Sequence, residues 1–91
     1  MKTFDDLVFK QHAVDKTGKH ARITFDNGYG ISVLSGGEHF YTADGTYEVG
    51  VLKNDFIYYG TPITDDVSGY QTPEQITEIM KEIQSYTQNQ Y

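Results

Sequence analysis

Apolar and polar residues alternate most regularly over residues 20–34, on both sides of a short polar loop. A period of two residues is typical of strands with one buried face, so this segment predicts a β-hairpin. A two-residue Asn-Gly loop would place Ile23 opposite Ser32, whereas a three-residue loop would place it opposite Ile31. Only the three-residue loop puts both apolar sets on one face, and it requires a left-handed Gly28 in a bulge.

Other short apolar runs predict further strands joined by turns. Strands are expected at residues 7–9 running toward Ala13, 39–42, 46–52 and 56–59, with turns at residues 35–37, 44–45 and 53–55. Pro62 cannot donate a hydrogen bond to a strand ladder, so the sheet should end near that residue or leave it at an edge. The pattern predicts an antiparallel meander of about five or six strands, followed by a loop over residues 61–70.

The apolar period changes to that of a helix after residue 71. Thr72, Pro73 and Gln75 occupy the N-cap, first-turn and capping-box positions of a helix start. The apolar residues then recur at helical spacing, at Ile76, Ile79, Met80, Ile83 and Tyr86. This narrow stripe predicts a C-terminal amphipathic helix packed on the sheet with one face in solvent. The expected fold class is therefore α+β.

Length and composition predict a single domain over residues 1–91, with a frayed segment at residues 87–91. The chain has no cysteine, so neither a disulfide nor a thiolate ligand is expected. No apolar run approaches the length of a membrane span, and Asp5 and Asp6 follow the N-terminus where a signal peptide would be apolar. A cytoplasmic location and no membrane partner are expected.

Charge is distributed unevenly along this acidic chain, whose formal net charge is −6. Residues 1–25 carry five cations and three acids, whereas residues 26–91 carry two cations and ten acids. Because nucleic-acid affinity depends on lysine and arginine at phosphates, direct nucleic-acid binding is disfavoured. The acids either serve solubility or offer carboxylates to a basic groove on another protein.

No motif predicts catalysis, a metal site or a cofactor. His12, His20 and His39 match no metal-ligand spacing, so surface positions are expected for them. The adjacent aspartates, Asp65 and Asp66 among them, do not converge in an extended segment. The glycines fall at predicted turns rather than before a helix, which disfavours a phosphate loop. We therefore expect a non-enzymatic protein.

Tyrosine is abundant, with eight copies in 91 residues. Some of these side chains serve a small domain as half-buried core, but tyrosine is also enriched at interfaces. Tyr58 and Tyr59 are neighbours on a predicted strand, so one of them must face away from the other's packing surface. Asp65 and Asp66 either organise the loop before the helix or face a partner. The candidate partner-binding residues are Asp55, Tyr58, Tyr59, Asp65, Asp66 and Tyr70.

The overall pattern resembles small accessory proteins of bacteriophages and prophages. The resemblance runs through residues 27–33, 47–52, 61–67 and the Thr72-Pro73-Glu74 helix start, and it includes no active-site motif. It implies a stoichiometric inhibitor of a host defence factor, as anti-CRISPR proteins are, working in the host cytoplasm. Some such proteins imitate nucleic acid with carboxylates.

Three functional hypotheses remain open at this point. The first is a protein-binding module that inhibits a host factor, such as a nucleic-acid-binding CRISPR effector, through an acidic, tyrosine-rich surface. The second is a structural or self-assembling phage component that forms a homodimer or larger homo-oligomer. The third is a small-molecule-binding domain that uses the hairpin and residues 36–42 as the mouth of its site.

Overall fold

A computed structural model describes residues 1–13, 17–36, 45–63 and 68–91. In chain order, these ranges contain a short 3-10 helix Phe4–Asp6, strands β1 Lys10–Gln11, β2 Gly18–Thr24, β3 Tyr29–Gly36, β4 Tyr47–Lys53, β5 Phe56–Ile57 and β6 Ser68–Gln71, and helix α1 Pro73–Gln84. The strands pair antiparallel in the order β1-β2-β3-β4-β5, and β6 also pairs with β4. The predicted α+β class, an antiparallel meander followed by one C-terminal helix, is confirmed.

The β2–β3 hairpin has the register that burial of one face requires. Ile23 lies opposite Ile31, and the amide of Phe25 donates to the carbonyl oxygen of Tyr29 at 2.7 Å. Gly28 has a φ of +87°, the left-handed conformation that glycine adopts without a Cβ penalty. The three-residue loop and its left-handed glycine are therefore confirmed.

Helix α1 begins as its capping residues predict. The Thr72 hydroxyl accepts a hydrogen bond from the Gln75 amide at 3.2 Å, and the Gln75 side chain accepts one from the Thr72 amide at 2.8 Å. Such reciprocal capping satisfies backbone donors that have no partner within the helix. Ile76, Met80 and Ile83 are fully buried, so the predicted stripe is the face that packs on the sheet.

The core lies between α1 and one face of the sheet. Its centre is formed by branched side chains of the long strands and by the helix stripe, namely Ile31, Val33, Val49, Val51, Ile76, Met80 and Ile83. Each such side chain contributes about 1.5–3 kcal/mol on burial. The rings of Phe4, Phe9 and Tyr47 pack against one another at centroid distances of 5.2–6.1 Å and extend the core toward the 3-10 helix.

The first predicted strand is wrong. Residues 7–9 form no ladder, and strand pairing begins only at Lys10. The Thr3 amide donates to the Asp6 carboxylate at 2.8 Å, which favours a 3-10 turn at the start of the chain. Leu7 is buried while Val8 is exposed, so the alternation reflects burial of side chains without backbone pairing.

The end of the sheet also differs from the prediction. Only Phe56 and Ile57 of the predicted strand 56–59 are assigned to a strand, and the chain returns after Pro62 as β6, where a loop was expected. Strand β4 pairs through Leu52 and Lys53 with β5 and through its N-terminal half with β6. One long strand therefore holds two short neighbours on the same side.

Two predicted turns fall at the edges of the described ranges. Strand β3 continues through Gly36, although its φ of +64° there is typical of a turn. Gly45 has a φ of +77° and lies in a turn, as expected. The predicted strand 39–42, together with Asp44 and with Asp65 and Asp66, lies outside the described residues.

The turn between β4 and β5 bends the sheet. Asn54 and Asp55 have φ values of +53° and +70°, as a two-residue primed hairpin turn requires. The Thr24 hydroxyl donates to the Asp55 carboxylate at 2.9 Å. In a flat sheet β5 would lie three strand spacings, about 14 Å, from β2, too far for this contact. The sheet therefore curls, and its face away from α1 is concave.

Within residues 87–91, Tyr91 packs against the core, whereas residues 87–90 are exposed. Tyr91 packs edge-on against Tyr86 at 4.8 Å between ring centroids. Its amide donates to the Tyr29 hydroxyl at 2.8 Å, and its main-chain oxygen accepts from Lys53 Nζ. The polar composition of this segment predicts fraying. Composition alone does not reveal that the Tyr91 ring has the buried Tyr86 ring as a neighbour.

Candidate functional site

Large apolar side chains are exposed mainly along one edge of the sheet. Phe56 is 76% exposed, Ile57 40%, Tyr59 54% and Tyr70 58%. We call these four residues the edge surface. Elsewhere in the described ranges, Met1 and Val8 are the large apolar residues with comparable exposure, and Val8 precedes β1 at the opposite side of the sheet.

The edge surface is assembled by the two short strands that share β4. Ile57 lies opposite Leu52 of β4, and Gln71, which follows Tyr70, lies opposite Tyr47. Five residues of strand separate these two β4 positions, which corresponds to about 17 Å along the edge. Phe56 and Ile57 are successive residues of β5 and so lie on opposite faces of the sheet, on either side of its edge. The edge itself has the length that one strand or loop of a partner could cover.

The neighbouring tyrosines have different roles. Tyr58 is half-buried against the core, with Lys53 Nζ 4.8 Å from its ring centroid, and its amide donates to the Val51 carbonyl at 2.9 Å. Tyr59 is exposed. The prediction that one of the pair must turn away is confirmed. Tyr58 fixes the backbone that presents Tyr59 to solvent.

Tyr70 lies in a strand with a strained backbone. Its φ of +58° is in the left-handed region, which is unusual for a large side chain and costs about 1–2 kcal/mol. The register shift between β4 and β6 occurs in the same stretch, between Tyr47 and Val49. The Tyr70 side chain is exposed at this irregularity, so the strained backbone conformation accompanies the exposure of the ring.

Asp55 lies at the end of the edge surface and holds the β4–β5 turn. Its carboxylate accepts from Thr24, and its carbonyl oxygen accepts from Arg22 Nη2 at 2.6 Å. Of the candidate partner-binding residues, Asp55, Tyr58 and Tyr59 fall in one hairpin and Tyr70 on the strand beside it. Asp65 and Asp66 lie outside the described residues, and the use of all six in binding stays a prediction.

Sequence reasoning missed Phe56 and Ile57. Their signal was present, because a run of four apolar residues on a predicted strand cannot hide all its side chains on one buried face. The same run does not show which side of the strand remains unpaired, because that depends on the order of strands in the sheet.

Acidic side chains accompany the edge surface. Glu78 and Glu82 of α1 line a shallow groove together with Gln71 of β6 and Pro62. Glu78 is 3.6 Å from Lys81, and Glu82 accepts a hydrogen bond from the Tyr86 hydroxyl at 3.0 Å. The pKa of Tyr86 is raised, chiefly by burial and then by its hydrogen bond to Glu82, so the hydroxyl keeps its proton. The groove is also lined by Lys81, so it holds two carboxylates and one ammonium group.

His12 and His20 lie on the concave face. His20 Nε2 is 3.1 Å from the Ser32 hydroxyl oxygen, and the His12 and His20 rings are 5.8 Å apart. The pKa of His20 is lowered chiefly by burial, and to a smaller extent by the positive charge of Arg22 and by His12. Within the described ranges, no three histidine, aspartate or glutamate side chains converge as metal ligands. His39 lies outside these ranges.

No protein-family model matches the chain, and neither a curated protein nor a solved structure matches it. The resemblance to phage accessory proteins therefore stays a prediction. Among the residues that the structure describes, no helix has the length and apolar character needed to cross a membrane.

Proposed function

We propose that this protein is a non-enzymatic binding module that docks on a partner protein through its edge surface. The observation that carries the proposal is the exposure of Phe56, Ile57 and Tyr70 on two short strands that share one sheet edge, together with Tyr59 just after β5. Large exposed apolar side chains gathered in one region of a surface mark interaction sites.

The residue types match those that anchor protein interfaces. Aromatic side chains supply large, stiff contact areas and are enriched among the residues that dominate binding energy. The outer backbone of β5 and β6 adds donors and acceptors that an extended partner segment can pair with. Burying the Phe56 ring alone would contribute about 1.5–3 kcal/mol before the costs of association.

The partner we propose is a basic protein surface. The chain carries 13 acids against 7 cations. In the groove that Gln71 of β6 lines, two acids, Glu78 and Glu82, accompany one cation, Lys81. Complementary charge speeds encounter and makes association sensitive to salt. In the setting that the phage resemblance implies, the partner is a nucleic-acid-binding host defence factor, such as a CRISPR effector, which this protein inhibits by occupying its basic groove.

A capture experiment with matched variants tests this function. The wild-type chain, the double variant Phe56→Ala/Tyr59→Ala and the control Val8→Ala serve as baits in a bacterial lysate that contains defence effectors. Val8 is equally exposed but precedes β1, away from the edge surface. We expect wild type and control to retain one basic nucleic-acid-binding protein, and the double variant to lose it.

Two results would contradict the proposal. Capture that is equal for all three baits would exclude the edge surface, and capture that persists at high salt would exclude a charge-steered partner. Light scattering provides a further check, because a homodimer that the double variant dissociates would make a second copy the occupant of the edge surface. The proposal requires a monomer.

A further inference from the structure

The concave face of the sheet carries a second set of functional groups, which shares Ile57 with the edge surface. Side chains alternate between the two faces along β2. Ile23 packs on the core side, so His20 and Arg22 lie on the opposite, concave side. Cross-strand pairing places Arg22 beside Ser32 and Ser32 beside Gly50. The neighbouring row runs from His20 through Leu34 to Glu48.

These rows enclose a cavity of about 280 Å³. Gly50 forms part of its floor, and because glycine has no side chain, the space above β4 stays open. Leu34 and Ile57 supply apolar walls. The bent β4–β5 turn closes one end, since Asp55 contacts both Arg22 and Thr24 of β2. The curl that bends the sheet thus also creates the cavity.

The hydrogen-bonding groups of the cavity are held in place by the fold. Arg22 is fixed by its 2.6 Å bond to the Asp55 carbonyl oxygen, and His20 by its 3.1 Å contact with Ser32. The His12 ring lies beside that of His20. Burial lowers the pKa of His20, which favours the neutral imidazole near neutral pH. The positive charge at this wall is therefore that of the Arg22 guanidinium. Glu48, which is 9% exposed, lies on the far wall.

We infer that this cavity binds a small, singly charged carboxylate that carries an apolar body. The planar fork of a guanidinium suits a carboxylate, and Ser32 and the imidazoles lie next to it as further hydrogen-bonding groups. The apolar body then packs on Leu34 and Ile57. The net charge of −6 opposes a second negative charge on the ligand.

Size and charge also favour a small ligand. The cavity of about 280 Å³ opens to solvent, and a ligand the size of benzoate fits its scale. Nucleotides and other polyphosphates carry more negative charge than this acidic chain favours. The site differs from the proposed mouth at residues 36–42, because its walls are residues of β2, β3, β4 and β5 and the histidine that follows β1.

A titration with benzoate tests the inference directly. The probe is added to the isotope-labelled full chain while backbone amide signals are followed by NMR. We expect shifts concentrated at residues 20–24, 30–34 and 48–52, and none in α1. Benzamide has the same shape without the charge and phthalate carries two charges, so each should bind roughly tenfold more weakly or worse. Equal binding of benzamide would overturn the charge assignment.

Matched variants separate binding by Arg22 from general charge effects. Arg22→Gln should weaken benzoate binding roughly tenfold or more, whereas Lys81→Gln, the same charge change on α1, should leave it unchanged. Arg22→Gln also removes the contact with Asp55. Ser32→Ala therefore serves as the second variant, because it removes one hydrogen-bonding group and leaves that contact in place.

The outcomes distinguish this site from the edge surface. Phe56→Ala/Tyr59→Ala leaves the charged wall intact and should bind benzoate as wild type does, whatever its effect on protein capture. Two results would overturn the inference: no amide shifts up to about 20 mM benzoate, or undiminished binding by both Arg22→Gln and Ser32→Ala.

Discussion

The two faces of one sheet are built on opposite principles. The face under α1 is filled by Ile31, Val33, Val49 and Val51, all of which are fully buried. The concave face carries Arg22, Ser32 and Gly50 in its middle row. Because successive residues of a strand point to opposite sides, the same strands can devote one set of positions to stability and leave the other for recognition.

The largest expected effect comes from the covered face. Ile76→Ala removes a fully buried side chain at the centre of the helix stripe and leaves a cavity under the sheet. We expect a loss of about 2–5 kcal/mol in the free energy of unfolding, measured by urea denaturation. The matched change on the concave face, Ser32→Ala, should cost about 1 kcal/mol or less. Equal losses would contradict the division between the two faces.

Glycine at position 30 tests how closely β2 and β3 approach. A Cβ added there would lie 2.4 Å from the backbone oxygen of Ile23, which cannot move without disturbing the hairpin. Gly30→Ala should therefore destabilise the fold by about 1–3 kcal/mol. Thermal unfolding measures the change. An unchanged melting temperature would mean that the strands are more widely separated than the structure shows.

Gly28, in the loop of the same hairpin, should be sensitive for a different reason. A Cβ there meets nothing within 4 Å, but the φ of +87° disfavours any L side chain. Gly28→Ala should cost about 1 kcal/mol, and Gly28→Asn less, because asparagine tolerates the left-handed region. If both variants cost the same, the backbone conformation is not the cause.

The smallest effect concerns pH and the concave face. Because the pKa of His20 is lowered in the folded state, the unfolded chain takes up a proton more readily. Stability should therefore be greatest above the ordinary histidine pKa of 6.5 and should decline as the pH falls through that value. His20→Gln should flatten this part of the pH profile of unfolding. A profile that keeps its slope in the variant would assign the effect to another group.

Much of the covered face could be predicted from the sequence alone. The hairpin register followed from one requirement, that Ile23 and Ile31 share a face, and the helix start followed from local capping chemistry. Strand β6 could not be predicted this way. It is four residues long, contains a left-handed Tyr70, and pairs with a strand some twenty residues earlier in the chain. The local pattern of apolar and polar residues in β6 does not predict its pairing with β4.

The candidate surfaces show the same limit. Tyr58, Tyr59 and Tyr70 were candidate interface residues because eight tyrosines cannot all be core, but the sequence does not distinguish the exposed Tyr59 and Tyr70 from the half-buried Tyr58. The concave cavity was not expected, because it depends on a turn that bends back to Thr24 and Arg22. Arg22 and Asp55 are 33 positions apart in the sequence, and Thr24 and Asp55 are 31 positions apart. Neither alternation nor capping rules predict contacts between residues so distant in sequence.

The contact between Arg22 and Asp55 gives the molecule a physical link between its two surfaces. Asp55 ends the hairpin that presents Phe56, while Arg22 supplies the positive wall of the cavity. A carboxylate that drew the guanidinium away would release the hairpin, and a docked protein that tightened the hairpin would hold the guanidinium back. Thermodynamic reciprocity then requires each occupant to change the other's affinity by the same factor.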